Sequence, residues 1–176
     1  MNKIIYFLLI TVVTVSSIYS KEPTIATLKA VYSNAHLKFG ISKREFLCKP
    51  YGLITIDELY LQAKAGSTCK KSIDKYYMQN PRDKYYSSSL LKTRQNYHVE
   101  FKNNRCILYA RGLVTLSELL LKKGLAIKAS TFKDVEFDYY FSEAQIEAKE
   151  KNIGIYKNKI ETKCISEVSE LEKRDL

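Results

Sequence analysis

The chain has 176 residues, with 29 Lys and Arg against 19 Asp and Glu, for a formal net charge of +10. That length suits one domain with a real core, and the sequence contains neither an internal repeat nor a low-complexity linker. So basic a balance points to a polyanionic partner (nucleic acid, an anionic membrane surface or an acidic protein) or to solubility alone, since charge bears on association and not on fold.

In chain order the first feature is a positive residue, Lys3, followed by an apolar run from Ile4 to Val13 and small residues at Ser16, Ser17 and Ser20. This pattern predicts a secretory signal peptide over residues 1–20, with cleavage after Ser20 or Ser17. The apolar run is short for a membrane span, so the mature chain is predicted to have none, with an uncleaved anchor as the minor alternative. Removing the signal takes away Lys3 alone and leaves +9. The expected location is the bacterial periplasm or the outside of the cell. Cys48, Cys69, Cys106 and Cys164 all follow the signal. In an exported chain they predict two disulfides, with three pairings open. A zinc site is the alternative, weakened by the absence of any C-x-x-C pair.

Residues 24–32, rich in Thr, Ile and Val, predict a strand; shorter strands are predicted at 35–39 and 44–48. Thr55 and Glu58 fit a capping box opening a short helix that includes Leu59 and Ala63 and ends at Gly66. A second helix is predicted from Ser67 to Asn80, where Pro81 stops it. Leu90 and Leu91 supply the apolar side of a third. The alternation of Tyr97, Val99 and Phe101 with His98 and Glu100, then a polar Lys-Asn-Asn turn and Cys106 to Ala110, predicts a hairpin. Thr115 and Glu118 fit another capping box, with Leu116, Leu119 and Leu120 as the buried face and Gly124 as the stop. A closing helix places Phe141, Ala144, Gln145 and Ala148 on one side. After Lys157 comes a mixed-charge tail, residues 158–176, in which Ile165, Val168 and Leu171 are expected to dock a helical turn tied down by Cys164.

Three stretches together resemble the staphylococcal-nuclease (thermonuclease) family. Ala144, Ala148, Lys149, Gly154, Ile155 and Tyr156 match the family's closing pattern A-x-x-x-A-(K/R) and G-(I/L)-W, with Tyr in place of Trp. Glu118, Leu120, Gly124, Leu125 and Ala126 are similar to its N-E-x-L-V-x-x-G-L-A segment. Residues 26–39 look like its first strand pair. The resemblance spans roughly residues 24–157 and implies an α+β fold: a five-stranded OB-type barrel with packed helices, occupying residues 21–157.

The resemblance also implies a site, and here the chain departs from the pattern. Family catalysis needs calcium held by carboxylates, a glutamate acting on water and two arginines on the phosphate. The family's first ligand aspartate falls on Asn34. One alignment makes Asp57 the second calcium ligand and Glu58 the catalytic glutamate, with Gly52 where the first arginine belongs. Another places the strand at 44–48 and leaves Asp57 and Glu58 as an ordinary helix start, which the capping box explains without catalysis. Arg105 is the nearest match to the second arginine, although an arginine beside a polar turn is also a common surface charge. Neither His36 nor His98 is paired in sequence with a nucleophile or metal cluster, and Ser87 to Ser89 lack a nucleophile-elbow context.

The expectation is therefore an exported, non-catalytic scaffold or binding module of the envelope, whose partner is an envelope protein or a polyanion. A secreted calcium-dependent nuclease is the alternative. A single-strand nucleic-acid binder is a third reading, from 14 tyrosines and the many basic residues.

Overall fold

The computed structural model describes residues 23–102 and 105–174. The predicted signal peptide, and Asn103 and Asn104 of the predicted hairpin turn, lie outside the described residues. The fold is mixed α+β, as expected, and all its strand ladders are antiparallel.

The β-rich residues near the start form β1 (Thr24–Val31), β2 (Leu37–Ile41) and β3 (Arg44–Cys48). Alternation in the later hairpin gives β5 (Asn96–Lys102) and β6 (Arg105–Arg111), extended by β7 (Val114–Thr115). These six make one sheet in the order β3-β2-β1-β5-β6-β7. Two short strands absent from the sequence reading, β4 (Leu53–Thr55) and β8 (Ala126–Lys128), pair with each other. Each is only three residues long, too short to carry a period of its own.

The ladder of the large sheet stays open, but its far side is stitched. The Tyr51 N–H donates to the Cys106 carbonyl at 3.0 Å, and the Cys106 N–H donates to the Lys49 carbonyl at 2.8 Å, in a single parallel bridge. A disulfide between Cys48 and Cys106, with Cα atoms 5.5 Å apart, reinforces it. The end of β3 is thereby held against the start of β6. The second disulfide joins Cys69 to Cys164, so both predicted bridges form, and no described cysteine is free for zinc.

The helices follow their predicted signals closely. α1 (Ile56–Gln62) carries the full reciprocal Thr55–Glu58 capping box, and α2 (Thr68–Gln79) is capped by the Ser67 hydroxyl. The third predicted helix is shorter than its apolar pair suggested: α3 runs Tyr86–Leu90 after a 3₁₀ turn at Asp83–Tyr85. In α4 (Leu116–Lys122) only half of the expected capping box is made, the Thr115 hydroxyl accepting from the Glu118 N–H at 3.1 Å. Its deeply buried leucines are Leu116, Leu120 and Leu121. The closing helix α5 (Asp138–Glu150) buries Phe141, Ala144 and Ala148 as predicted.

Gly124 and Gly154, both at positive φ, explain two motif positions at once. A Cβ on Gly154 would land on the Gly124 carbonyl, which instead accepts the Ile155 N–H at 2.7 Å. Only glycine permits so close a backbone contact. It fixes the 3₁₀ turn Gly154–Lys159 against the end of α4. After it come α6 (Ile160–Lys163) and α7 (Ile165–Arg174), the last of the described elements. Ile160 and Cys164 are buried in the core, while Val168 and Leu171 pack against it. Ile165, also expected to dock, stays exposed. No described helix is long and apolar enough to cross a membrane.

Candidate functional site

The β1–β2 turn, the start of α1 and the start of β6 converge. They bring together all four residues singled out from sequence, Asn34, Asp57, Glu58 and Arg105, in two linked pairs.

The Asn34–Asp57 pair is built by the turn. Ser33 Oγ accepts the N–H groups of Ala35 and His36, each at 3.1 Å, folding the turn onto itself. This aims the Asn34 N–H at Asp57 Oδ2, 2.8 Å away. The Tyr77 hydroxyl, from α2, donates to the other oxygen, Asp57 Oδ1, at 2.6 Å. Asn34 is only 1% exposed. Its Nδ2 donates to the Asp83 carbonyl at 2.9 Å, and its Oδ1 accepts the Ser87 N–H at 2.9 Å. Asn34 thus ties the turn to the 3₁₀ turn and to α3. Burial pushes the Asp57 carboxyl above the ordinary aspartate range, against the pull of the Tyr77 and Asn34 hydrogen bonds. The same burial, with Asp57 alongside, pushes the Tyr77 phenol strongly upward.

Glu58 and Arg105 form the second pair. Glu58 is 4% exposed. Its Oε2 accepts the Thr55 N–H at 3.0 Å, completing the capping box, while Oε1 faces Arg105 Nη2 at 3.3 Å. Arg105 Nη1 donates to the carbonyls of Pro50 and Leu53 at 3.1 and 3.0 Å. Its side chain is 11% exposed. It is therefore not the solvated surface charge considered from sequence. The turn it grips contains Gly52, at positive φ, and the Phe132 ring occupies the space a Cβ there would need. That position, where the resemblance expects an arginine, has no room for a side chain in this arrangement.

Two further residues join the cluster that the sequence reading passed over or set aside. Lys49 Nζ lies 3.8 Å from Glu58 Oε1 as a second, more exposed cation. His36 is pushed below the ordinary imidazole range by burial and then by Lys49, with Glu58 and Asp57 opposing. Only the fold brings them in; nothing local in the sequence pairs either with residues 57 and 58. Beside Asp57 a groove of about 420 Å³ opens between α1, α2 and the 3₁₀ turn, with Leu61, Met78 and Tyr85 exposed along it.

Calcium takes six to eight oxygen ligands. Of the two residues proposed to hold it, Asp57 already accepts a hydrogen bond on each carboxylate oxygen, and the Asn34 carbonyl oxygen is turned to Ser87. Among the described residues no group of three or more His, Cys, Asp and Glu side chains stands together to hold a metal ion. This donor set does not fit calcium. What the arrangement does chemically is neutralise charge internally and lock the β1–β2 turn, α1, α2 and β6 together. Compared with known proteins, the chain matches no family model and no curated protein.

Proposed function

We propose that this protein is a divergent, non-catalytic relative of the staphylococcal-nuclease family, exported to the bacterial envelope and acting there as a scaffold or binding module. One observation carries this reading: the residues that would have to meet calcium, water and phosphate are already engaged with one another. Phosphodiester hydrolysis needs a divalent ion, a positioned water and neutralisation of charge on the phosphate. Asp57 has both oxygens bonded, and Glu58 is held by Thr55 and Arg105.

The finer fold assignment belongs to the same proposal. The strand order β3-β2-β1-β5-β6, with the Pro50–Cys106 bridge returning β3 to β6, supports a five-stranded OB-type barrel. The Gly124–Gly154 contact supports the motif resemblance at the two glycines that carry it. Two disulfides support export to an oxidising compartment. The partner is an envelope protein or a polyanion, and the net charge of +9 left after removal of the signal supports the latter.

The test is digestion. Purified, disulfide-bonded protein with millimolar calcium is expected to degrade neither single- nor double-stranded DNA above a protein-free control. Any DNA binding should weaken steeply as salt rises. Calcium-dependent digestion that vanishes in Glu58→Gln or Arg105→Ala would replace this reading with a secreted nuclease.

A further inference from the structure

On another face of the fold, β8, the end of α5, the Gly154–Lys159 turn, α6 and α7 border an open pocket of about 280 Å³. Its walls are mainly apolar, from Ile127, Val168 and the 64%-exposed Ile165, with Ser169 and a second carboxylate, Glu172, beside them. Two of its lining residues each carry a buried side-chain oxygen with no hydrogen-bond partner in the protein: the Tyr156 hydroxyl and Glu161 Oε2. Tyr156 is itself only 6% exposed. Buried polar groups in folded proteins are nearly always paired, and an orphan asks for an explanation. Two orphans lining one pocket ask for the same one.

The chemistry of the missing partner follows from the two atoms. A phenol O–H needs an acceptor, and a carboxylate oxygen needs a donor. A bare ammonium offers only donors and leaves the phenol proton unmatched. An anionic head would sit against the Glu161 carboxylate. A neutral head that donates once and accepts once satisfies both. Lys149 Nζ stands 5.6 Å from the centroid of the Tyr156 ring, and burial raises the Glu161 carboxyl above the ordinary glutamate range, with Lys149 opposing. The volume lies at the low end for ligand pockets and suits a fragment-sized molecule, not a nucleotide.

We infer that this pocket binds a small amphipathic molecule. Its apolar body lies against Ile127, Ile165 and Val168. Its neutral head, a primary amide or an alcohol, donates to Glu161 Oε2 and accepts from the Tyr156 hydroxyl. The site is separate from the Asp57–Glu58 cluster and independent of the function proposed for it.

The experiment is a titration of the ¹⁵N-labelled, disulfide-bonded protein with hexanamide and 1-hexanol, with hexylamine and hexanoate as charged controls. The amide and alcohol should shift the backbone resonances of Ile127, Tyr156 and Val168 saturably, and the charged controls should bind at least about tenfold more weakly. Tyr156→Phe should weaken hexanamide a few-fold to about tenfold. Without probe its Tm should equal or exceed the parent's, because the hydroxyl removed has no partner in the protein. Binding of all four probes alike, or of none, overturns the inference. So does a lowered Tm in unliganded Tyr156→Phe, which would mean that a bound water already satisfies the hydroxyl.

Discussion

The cluster at Asp57 and Glu58 and the pocket at Tyr156 both carry buried carboxylate oxygens, and they treat their polar atoms in opposite ways. In the cluster, both oxygens of Asp57 and of Glu58 have partners from the chain itself. In the pocket, a phenol and a carboxylate oxygen are buried without one. The first pattern is that of a polar network that specifies a fold. The second is that of a surface awaiting a partner. Motif matching alone would rank them the other way, because the cluster holds the candidate site residues and the pocket holds, of the motif positions, Lys149 and the Tyr that departs from the pattern.

One disulfide physically joins the two regions. Cys69 lies on α2, which supplies Tyr77 to the cluster, and Cys164 follows α6, which supplies Glu161 to the pocket. Replacing both cysteines by serine opens a loop spanning 95 residues of sequence separation. The expected loss is about 4–5 kcal/mol, read from urea unfolding. A loss under about 1 kcal/mol would mean that the regions are stable apart.

A smaller effect should come from the turn that grips Arg105. Gly52→Ala must place a side chain at positive φ against the Phe132 ring. The expected loss is roughly 2–3 kcal/mol. A neutral result would show that the Pro50–Leu53 carbonyls do not hold Arg105 in a fixed turn.

Burial raises Glu118 and Glu161 as well as Asp57, so substitution is what separates the Asp57 share of the pH dependence. The Asp57 carboxyl is raised by burial, so the folded state holds this proton more tightly than the unfolded chain does. The contribution is therefore fully present below the unfolded value, about 4. It declines as pH rises from there through the raised folded value. Asp57→Asn keeps the shape and an acceptor for the Asn34 N–H, so this decline should disappear from urea midpoints measured between pH 3 and 7. An unchanged profile would assign the titration to another group.

The smallest expected effect is that of Tyr156→Phe, a change of a few tenths of a kcal/mol toward higher stability. A comparable loss would make the pocket resemble the cluster and erase the contrast.

Legibility in the sequence followed the range of each interaction. Thr55 with Glu58 and Ser67 with Lys70 are contacts three residues apart, and both helix starts were readable. The β5–β6 hairpin was equally local. Long-range pairings left no such mark: β4 with β8, His36 beside Asp57 and Glu58, and Phe132 over Gly52. Asn34, Asp57, Glu58 and Arg105 could be named from the resemblance, but that they spend their hydrogen bonds on one another is a property of the folded arrangement.

The central claim is that Glu58 and Arg105 hold the structure together and are not poised for a substrate. A double-mutant cycle with Glu58→Gln, which keeps an acceptor for the Thr55 N–H, and Arg105→Met tests it most directly. Each single change should cost up to about 3–5 kcal/mol, with Arg105→Met at the lower end because Lys49 still stands 3.8 Å from Glu58 Oε1. The coupling between them should be about 1–3 kcal/mol. Single variants as stable as the parent, or more stable, would contradict the account. They would mark the pair as one kept at the expense of stability for work on a ligand.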